Sequence, residues 1–488
     1  MLLTCSEMQA LEQRAFSQGI TAESLMEEAG EKIAAAVRQF YPGPGRCIVH
    51  FGKGHNGGDA LVAARHLAAA GWCIEPVPAF EPNQWSPLTT KMFAALGPPV
   101  SIGASPVVVV LDGLLGIGAG GPLREPIRSA ARAINALRLN RNARVFSIDL
   151  PTGLNADDGS ADADAVRADF TLTIGFAKRG LIADPATPFV GRLAVLPLNE
   201  LSALADSDGD TIATAELLAP LLPLRRFDVH KGDFGRIAIV AGSRGLAGAA
   251  LMTSEACVRA GAGLITLYVT SDIYPIVASA SAPEVMVRPV ESYLKLMDSR
   301  HDVVAIGPGL GSERHAEVLE LIHCVGQPMI VDADALNALA TQIDLLNQCA
   351  GPRLLTPHPG EMARLDPLSS KRSRKETVEA FTGRYPHTLL LKGARTLVGE
   401  QGKSLSFNST GSPGMASGGM GDLLTGVCAA LAGHGLSLYD AARAGAWLCG
   451  RAAELAIHTG KESEESFSAT ALLLHLGAAF KELRMRCY

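Results

Sequence analysis

Two α/β domains in tandem, each a parallel sheet covered on both faces by helices, are what this sequence predicts, and three observations lead there. Short β-branched runs alternate with longer helical stretches, each run ends in Gly, Asp or Pro, and the alternation stops near residues 200–224 before starting afresh. At 488 residues the chain has room for two large domains or about three of ordinary size.

The elements follow in order. Thr4-Cys-Ser-Glu7 is a capping box, and Met8, Leu11 and Ala15 behind it keep helical spacing. Leu25, Ala29, Ile33 and Val37 repeat that spacing after Gly19. Strand-like runs come next at Cys47–Phe51, Val107–Leu111, Val145–Ile148 and Phe170–Ile174. The interruption holds Asp206-Ser-Asp-Gly-Asp210, Pro220 and Pro223, which predicts domains at 1–212 and 213–488. The second series runs Arg236–Val240, Leu264–Val269, Val303–Ile306, Met329–Val331, Arg353–Leu355 and Thr388–Leu391, with no residue-level repeat of the first. Ligands of such sheets bind beyond the carboxyl ends of the strands, so the residues after each run are the candidates for function.

Composition excludes several classes. With 48% hydrophobic and 19% charged residues the chain reads as a soluble globular protein, and a net charge of −6 argues against a nucleic-acid partner. Fifty-one glycines against 5% aromatics suit phosphate turns better than base-stacking platforms. Nine scattered cysteines without a C-x-x-C read as reduced thiols, and the start lacks a basic, then apolar, targeting pattern, so the expected location is cytoplasmic. No run of 18 apolar residues occurs, which excludes a membrane-spanning helix.

After the first strand comes Gly52-Lys-Gly54-His55-Asn56-Gly57-Gly58-Asp59. Read literally, Gly52, Gly54 and Gly57 match a dinucleotide fingerprint with Glu75 as its ribose acid, although three glycines also suit a plain tight turn. Asn56 and Asp59 add oxygen ligands for a hard cation beside helix-start amides that favour phosphate. The next strand end gives Asp112 and then Gly116-Ile117-Gly118-Ala119-Gly120-Gly121-Pro122, a carboxylate before a flexible anion-holding loop. The one after it gives Asp149-Leu-Pro-Thr152-Gly153.

These three motifs resemble the amino-terminal epimerase domain of the bifunctional NAD(P)H-hydrate repair enzymes over roughly residues 1 to 200, a Rossmann-like three-layer sandwich. The resemblance implies a potassium ion held by Asn56, Asp112 and Thr152, and a hydrate substrate lying along His55 to Asp59 and Gly116 to Pro122. It makes Asp149 the acid/base at the substrate's C6 hydroxyl. One departure is Met26-Glu-Glu28-Ala-Gly30, where the family usually has Asn in place of Glu28.

In the second half Gly411-Ser-Pro-Gly414-Met-Ala-Ser-Gly418-Gly419-Met-Gly421-Asp422 leads into an apolar helix. A glycine run entering a helix makes a nest of amides for developing negative charge, and Asp422 at its start is placed to take a proton. Thr356-Pro-His358-Pro-Gly-Glu361 and Lys392-Gly393-Ala394-Arg395-Thr396 follow two other strands and suit a polyphosphate. Gly309 and Gly311 line a further strand end, and Asp332 and Asp334 supply acids.

This set is similar to the ribokinase-like superfamily and, through its Thr-Pro-His-Pro-Gly-Glu and Gly-Met-Ala-Ser-Gly-Gly-x-Gly-Asp motifs, to its ADP/ATP-dependent NAD(P)H-hydrate dehydratase branch. Ser412 stands where that branch commonly has Asn. The resemblance implies that Lys392 to Thr396 and Gly421 hold the nucleotide, while Gly309, Gly311, His358 and Asp422 face the hydrate. Asp422 then deprotonates the C6 hydroxyl, the oxygen captures the terminal phosphoryl group, and elimination of phosphate restores NADH or NADPH, with ADP converted to AMP. ADP and ATP present the same phosphates to these residues, so the preference for ADP rests on the resemblance alone. Magnesium is expected with the nucleotide, and the resemblance also implies a homo-oligomer. Two other readings remain at this point: a small-molecule kinase fused to a dinucleotide-binding domain, and a first domain that serves only as a scaffold.

Overall fold

A computed structural model describes residues 1–97, 107–204 and 209–488. Asp206 to Asp208 of the expected junction lie outside the described residues. The chain divides into two compact units, Met1–Ile212 with Tyr488, and Ala213–Cys487.

Unit one is built on a six-stranded sheet in the spatial order Cys73–Pro78, Arg46–Phe51, Val108–Gly113, Arg144–Ile148, Phe170–Ile174 and Arg192–Leu196. Every neighbouring pair is parallel. Alternation along the strands feeds two cores. Cys47, Val49 and Phe51 pack with Ile33 and Val37 of helix Ala22–Phe40 and Leu61 of helix His55–Ala69, whereas Ile48, Val110 and Val145 pack with Ile127, Ala131 and Ile134 of helix Ile127–Arg141. The Thr4–Glu7 capping box starts helix Cys5–Ser17 as its sequence requires.

The four runs expected here are strands, with the second extended to Val108–Gly113 so that Asp112 lies inside it. The two strands the sequence did not mark are the sheet's edges. Cys73–Pro78 contains Pro76 and Pro78, which only an edge tolerates, because proline donates nothing to the ladder. Strand order reverses between Arg46–Phe51 and Val108–Gly113, and the crevice at such a reversal is where open α/β sheets take ligands.

Unit two carries a ten-stranded sheet. Seven parallel strands lie in the order Val285–Val290, Leu264–Thr270, Arg236–Val240, Val303–Ile306, Met329–Val331, Arg353–Leu355 and Thr388–Leu391. Antiparallel Leu397–Gly399 and Ser406–Asn408 follow, and Thr211–Ala213 closes that edge. Helices Ala247–Arg259, Met420–Gly433, Leu438–Glu454 and Ala469–Met485 bury one continuous apolar face against it. The four strands from Val303–Ile306 to Thr388–Leu391 are immediate neighbours, so the segments after them emerge side by side.

Candidate active sites

In unit one the turn from Phe51 into helix His55–Ala69 is tight. A Cβ at Gly57 would sit 2.2 Å from the Gly52 carbonyl oxygen, so only glycine fits. Thr89 ties the turn down by donating its hydroxyl to the Lys53 and Gly54 carbonyls at 3.1 and 3.0 Å. Gly54 caps the helix without a side-chain acceptor, which leaves the first-turn amides around His55 and Asn56 open to an anion.

Asn56, Asp112 and Thr152 meet at the neighbouring strand end. The Asn56 amide donates to the Leu115 carbonyl at 2.9 Å, and the Leu115 amide donates to Thr152 Oγ1 at 3.3 Å. Asp112 is wholly buried and accepts from Thr152 Oγ1 at 2.7 Å, the Thr152 amide at 2.9 Å and Ser147 Oγ at 2.8 Å. Burial pushes its carboxyl up, and hydrogen bonds from Thr152, Ser147 and Leu114 oppose that rise. A buried carboxylate offset by dipoles, grouped with amide and hydroxyl oxygens, is chemically suited to a hard monovalent cation.

Asp149 directly follows strand Arg144–Ile148 and adopts a left-handed φ of 66° inside a three-residue turn, the Leu150 amide donating to the Ile148 carbonyl at 2.9 Å. Such a conformation in a non-glycine residue costs about 1–3 kcal/mol and clusters at functional sites. Its carboxylate accepts from the Ile174 amide at 3.1 Å and from the ammonium of Lys178, which is 1% exposed and also donates to the Ile174 carbonyl at 3.0 Å. Asp59 lies within electrostatic reach. Burial raises its carboxyl well above the usual range, the charges of Asp149 and Glu12 add to the rise, and Lys178 opposes it.

Lys178 and Glu12 escaped the sequence reading. The segment after Phe170–Ile174, Gly175-Phe-Ala-Lys178, has neither a glycine run nor an acid to mark it as a functional strand end. The same structure removes the ribose-acid reading of Glu75. That residue sits inside edge strand Cys73–Pro78, opposite Ile48, and accepts from Arg46 Nε at 2.9 Å, away from the carboxyl ends where a ribose would lie. Glu28 accepts from Lys32 at 2.8 Å and from the Asn199 amide at 3.1 Å; burial disfavours its charge, but these bonds outweigh that and hold its pKa low. It therefore ties its helix to the segment after the last strand.

A cavity of about 570 Å³ opens at this end of the sheet. Gly116, Ala119, Gly120, Gly121, Pro122 and Asn155 form part of its wall. Ile117 and Gly118 belong to the same loop without lining the cavity, and Asp149 is not in its wall.

In unit two helix Met420–Gly433 starts at Gly419, whose φ of 89° turns the loop into the helix, and no side chain caps it. Its first-turn amides are free for an anion. A Cβ at Gly421 would lie 3.3 Å from Lys392 Nζ and 3.4 Å from Asp332 Oδ2, so an ion pair abuts that first turn. Lys392 donates to Asp332 at 2.7 Å and stands 3.9 Å from Glu361, while Thr425 donates to the other Asp332 oxygen at 2.9 Å.

Two acids are driven apart here. Burial raises the Asp332 carboxyl, but the charge and hydrogen bond of Lys392, with hydrogen bonds from Thr356 and Thr425, hold it below the ordinary value. Asp422 is pushed up to about 7 by burial first and then by the charge of Asp332, with Lys392 opposing and Asp334 adding to the rise. Paired carboxyls with separated pKa values are the mark of an acid–base site.

The remaining expected residues are held by contacts of their own. Gly311 donates its amide to Asp334 at 2.8 Å, and the Gly309 carbonyl accepts from Ser243 at 2.8 Å. Thr396 closes the turn after Lys392 by donating to the Gly393 carbonyl at 3.2 Å, and the Arg395 carbonyl accepts from Arg374 at 3.0 Å. Ala394 lies within that turn. His358 spends Nδ1 on the Gly360 and Glu361 amides as a helix cap, while its ring stays half exposed. Ser412 caps the short turn Pro413–Met415, accepting from the Gly414 amide at 3.3 Å, so this departure keeps a capping residue.

An uncapped, glycine-led helix start, a raised aspartate and a lysine–carboxylate pair brought together at the edge of this sheet fit an α/β enzyme of the ribokinase-like class. A solved ribokinase-like superfamily protein of Enterococcus faecalis agrees, with a TM-score of 0.50 and 26% identity over 57% of this chain and 98% of its own. Residues 237–472 match the family described as NAD(P)H-hydrate dehydratase, and residues 22–180 match the YjeF-related protein N-terminus. The bifunctional NAD(P)H-hydrate repair enzyme of Thermofilum pendens is 33% identical over 98% of this chain and 96% of its own length. That of Escherichia coli is 37% identical over 90% and 86%. The chain belongs to the family of bifunctional NAD(P)H-hydrate repair enzymes.

Proposed function

We propose that residues 1–212 interconvert the R and S hydrates of NADH and NADPH, and that residues 213–488 dehydrate the S form at the expense of ADP. The chain is thus an isomerase and a lyase together: the lyase alone would repair only the S hydrate and the isomerase alone none, while the two in series drain the whole damaged pool. The observation that carries the reading is Asp422, with its pKa near 7, at an uncapped helix start beside the Lys392–Asp332 pair.

The dehydration follows from that arrangement. Asp422 takes the proton of the C6 hydroxyl, and the oxygen attacks the β-phosphorus of ADP, releasing AMP. The open amides of the helix start balance the charge on the transferring group. The ring nitrogen's lone pair then expels phosphate from C6, and loss of a C5 proton restores the dihydropyridine. Among the described residues no group of three acidic, His or Cys side chains could cage a metal, so magnesium would arrive on the nucleotide's phosphates.

In the first unit Asp149 is the acid/base at C6. Asn56, Asp112 and Thr152 would hold a potassium ion, whose charge would favour ionised Asp112 and attract the dinucleotide's phosphates. The hydrated ring sits at Asp149, and the neighbouring cavity walled by Gly116, Ala119 to Pro122 and Leu150 takes the rest of the dinucleotide.

The test mixes purified protein with hydrated NADH and either ADP or ATP, follows absorbance at the reduced-nicotinamide band, and identifies the nucleotide product. Return of NADH with AMP and phosphate is expected. A stable phosphorylated hydrate would instead mark a small-molecule kinase.

A further inference from the structure

The family match to the first unit begins at residue 22, yet the chain before it is fastened onto the Asp149–Lys178 pair. Leu2 and Leu3 add a parallel strand to Ala177 and Lys178. The Cys5 amide donates to Asp157 at 2.7 Å, and Glu7 pairs with Arg179, the residue after Lys178, at 3.1 Å. Helix Cys5–Ser17 therefore lies across the segment that carries the lysine. Its buried Met8 points there, since a Cβ at Gly175 would meet the Met8 methyl at 3.1 Å. Glu12 is one turn along the same helix face and only partly exposed.

We propose that Glu12 is a positioning residue of the epimerising site, acting through Asp149 by returning the proton that Asp149 gives to the substrate. The inference rests on the epimerase reading above. When the C6–O bond breaks, the ring nitrogen's lone pair forms the N1–C6 double bond, and the departing oxygen takes a proton from Asp149 and leaves as water. A water adds to the opposite face of C6, the π pair returns to nitrogen, and the added water releases one proton to solvent. Asp149 is then an anion beside Lys178, and Glu12, partly exposed on the helix laid over this segment, passes a proton back and regains one from solvent. Protons and electrons balance over the cycle, and the substrate has changed only its configuration.

The surroundings suit that duty. Burial and then the charge of Asp149 raise the Glu12 carboxyl above its usual value, with Lys178 opposing, so it carries a proton more readily than a free glutamate. The charged groups that act on it or on which it acts are Asp149, Lys178 and Asp59, from three other elements. Glu200, on the short helix Asn199–Ser202 packed against this one, is engaged with Glu28.

The experiment measures R-to-S conversion by full-length Glu12→Gln and Glu12→Asp across pH, with and without added acetate or imidazole. Dehydration of S hydrate by the same preparations controls for folding. Glu12→Gln should epimerise roughly 10²-fold more slowly, the low end for loss of a proton-transfer group. Glu12 must hold a proton to return it and its carboxyl is raised, so the unaltered rate should fall as pH rises through the Glu12 titration, and that limb should be absent in Glu12→Gln. Added small acids should restore rate in Glu12→Gln, and Glu12→Asp should restore part of it. An unchanged rate and profile overturns the proposal, as does a slow variant that keeps the wild-type profile and ignores added acid. Absence of epimerisation in the wild-type chain would instead overturn the epimerase reading itself.

Discussion

The two units use the same parts and divide them in opposite ways. Each places a glycine-led, uncapped helix start at the carboxyl edge of a parallel sheet, and each has one lysine against an acid that follows a strand. In the first unit that lysine, Lys178, holds the aspartate assigned to the chemistry, Asp149. In the second, Lys392 holds the neighbour, Asp332, and Asp422 is left with a raised pKa. The one ammonium is thus allocated differently: to the aspartate assigned to the chemistry in the first unit, and to its neighbour in the second, where Asp422 is pushed up to about 7. Left-handed backbone accompanies both, at Asp149 itself and at Ala333 next to Asp332.

The largest break in this comparison is Asp422→Asn, which removes the base and should slow nucleotide-dependent dehydration by about 10²–10⁴-fold while epimerisation continues. Parallel assays on the two hydrates check it. A finer test is the pH profile. Asp422 must lose its proton to act, so dehydration should rise with pH through about 7. In Asp332→Asn the negative neighbour is gone, Asp422 ionises more easily, and the rise should shift to lower pH. An unshifted profile would mean that Asp332 does not tune Asp422. The smallest effect is Ser412→Ala, which removes the cap of a short turn and should lower stability by about 1 kcal/mol, read as a small shift in denaturant midpoint.

Much of the architecture was legible because buried parallel strands announce themselves. Runs such as Arg236–Val240 and Phe170–Ile174 carry β-branched residues on both faces and have the bounds read from the sequence. The edges were not legible: Cys73–Pro78 is broken by prolines, and Val285–Val290 carries Arg288 and Pro289. The sites divide similarly. Glycine loops and strand-end acids stand out as local motifs, and the structure brings Lys392 and Gly421 together beside Asp332. Partnerships across elements leave no local trace. Nothing near Lys178 in the sequence says that it will reach Asp149, 29 residues earlier, and nothing near Glu12 says that its helix will lie over them. Glu75 fails for the converse reason: the spacing was right for a ribose acid, but the residue lands in mid-strand beside Arg46.

The central claim is that each unit has its own chemistry and that the two act in series. Its most direct measurement follows NADH recovery from an equal mixture of R and S hydrates with ADP, comparing the unaltered chain with Asp149→Ala. The account predicts one continuous, complete recovery for the unaltered chain, and for the variant a fast recovery of the S half followed by only the slow uncatalysed interconversion. Complete recovery by Asp149→Ala at the unaltered rate would contradict it.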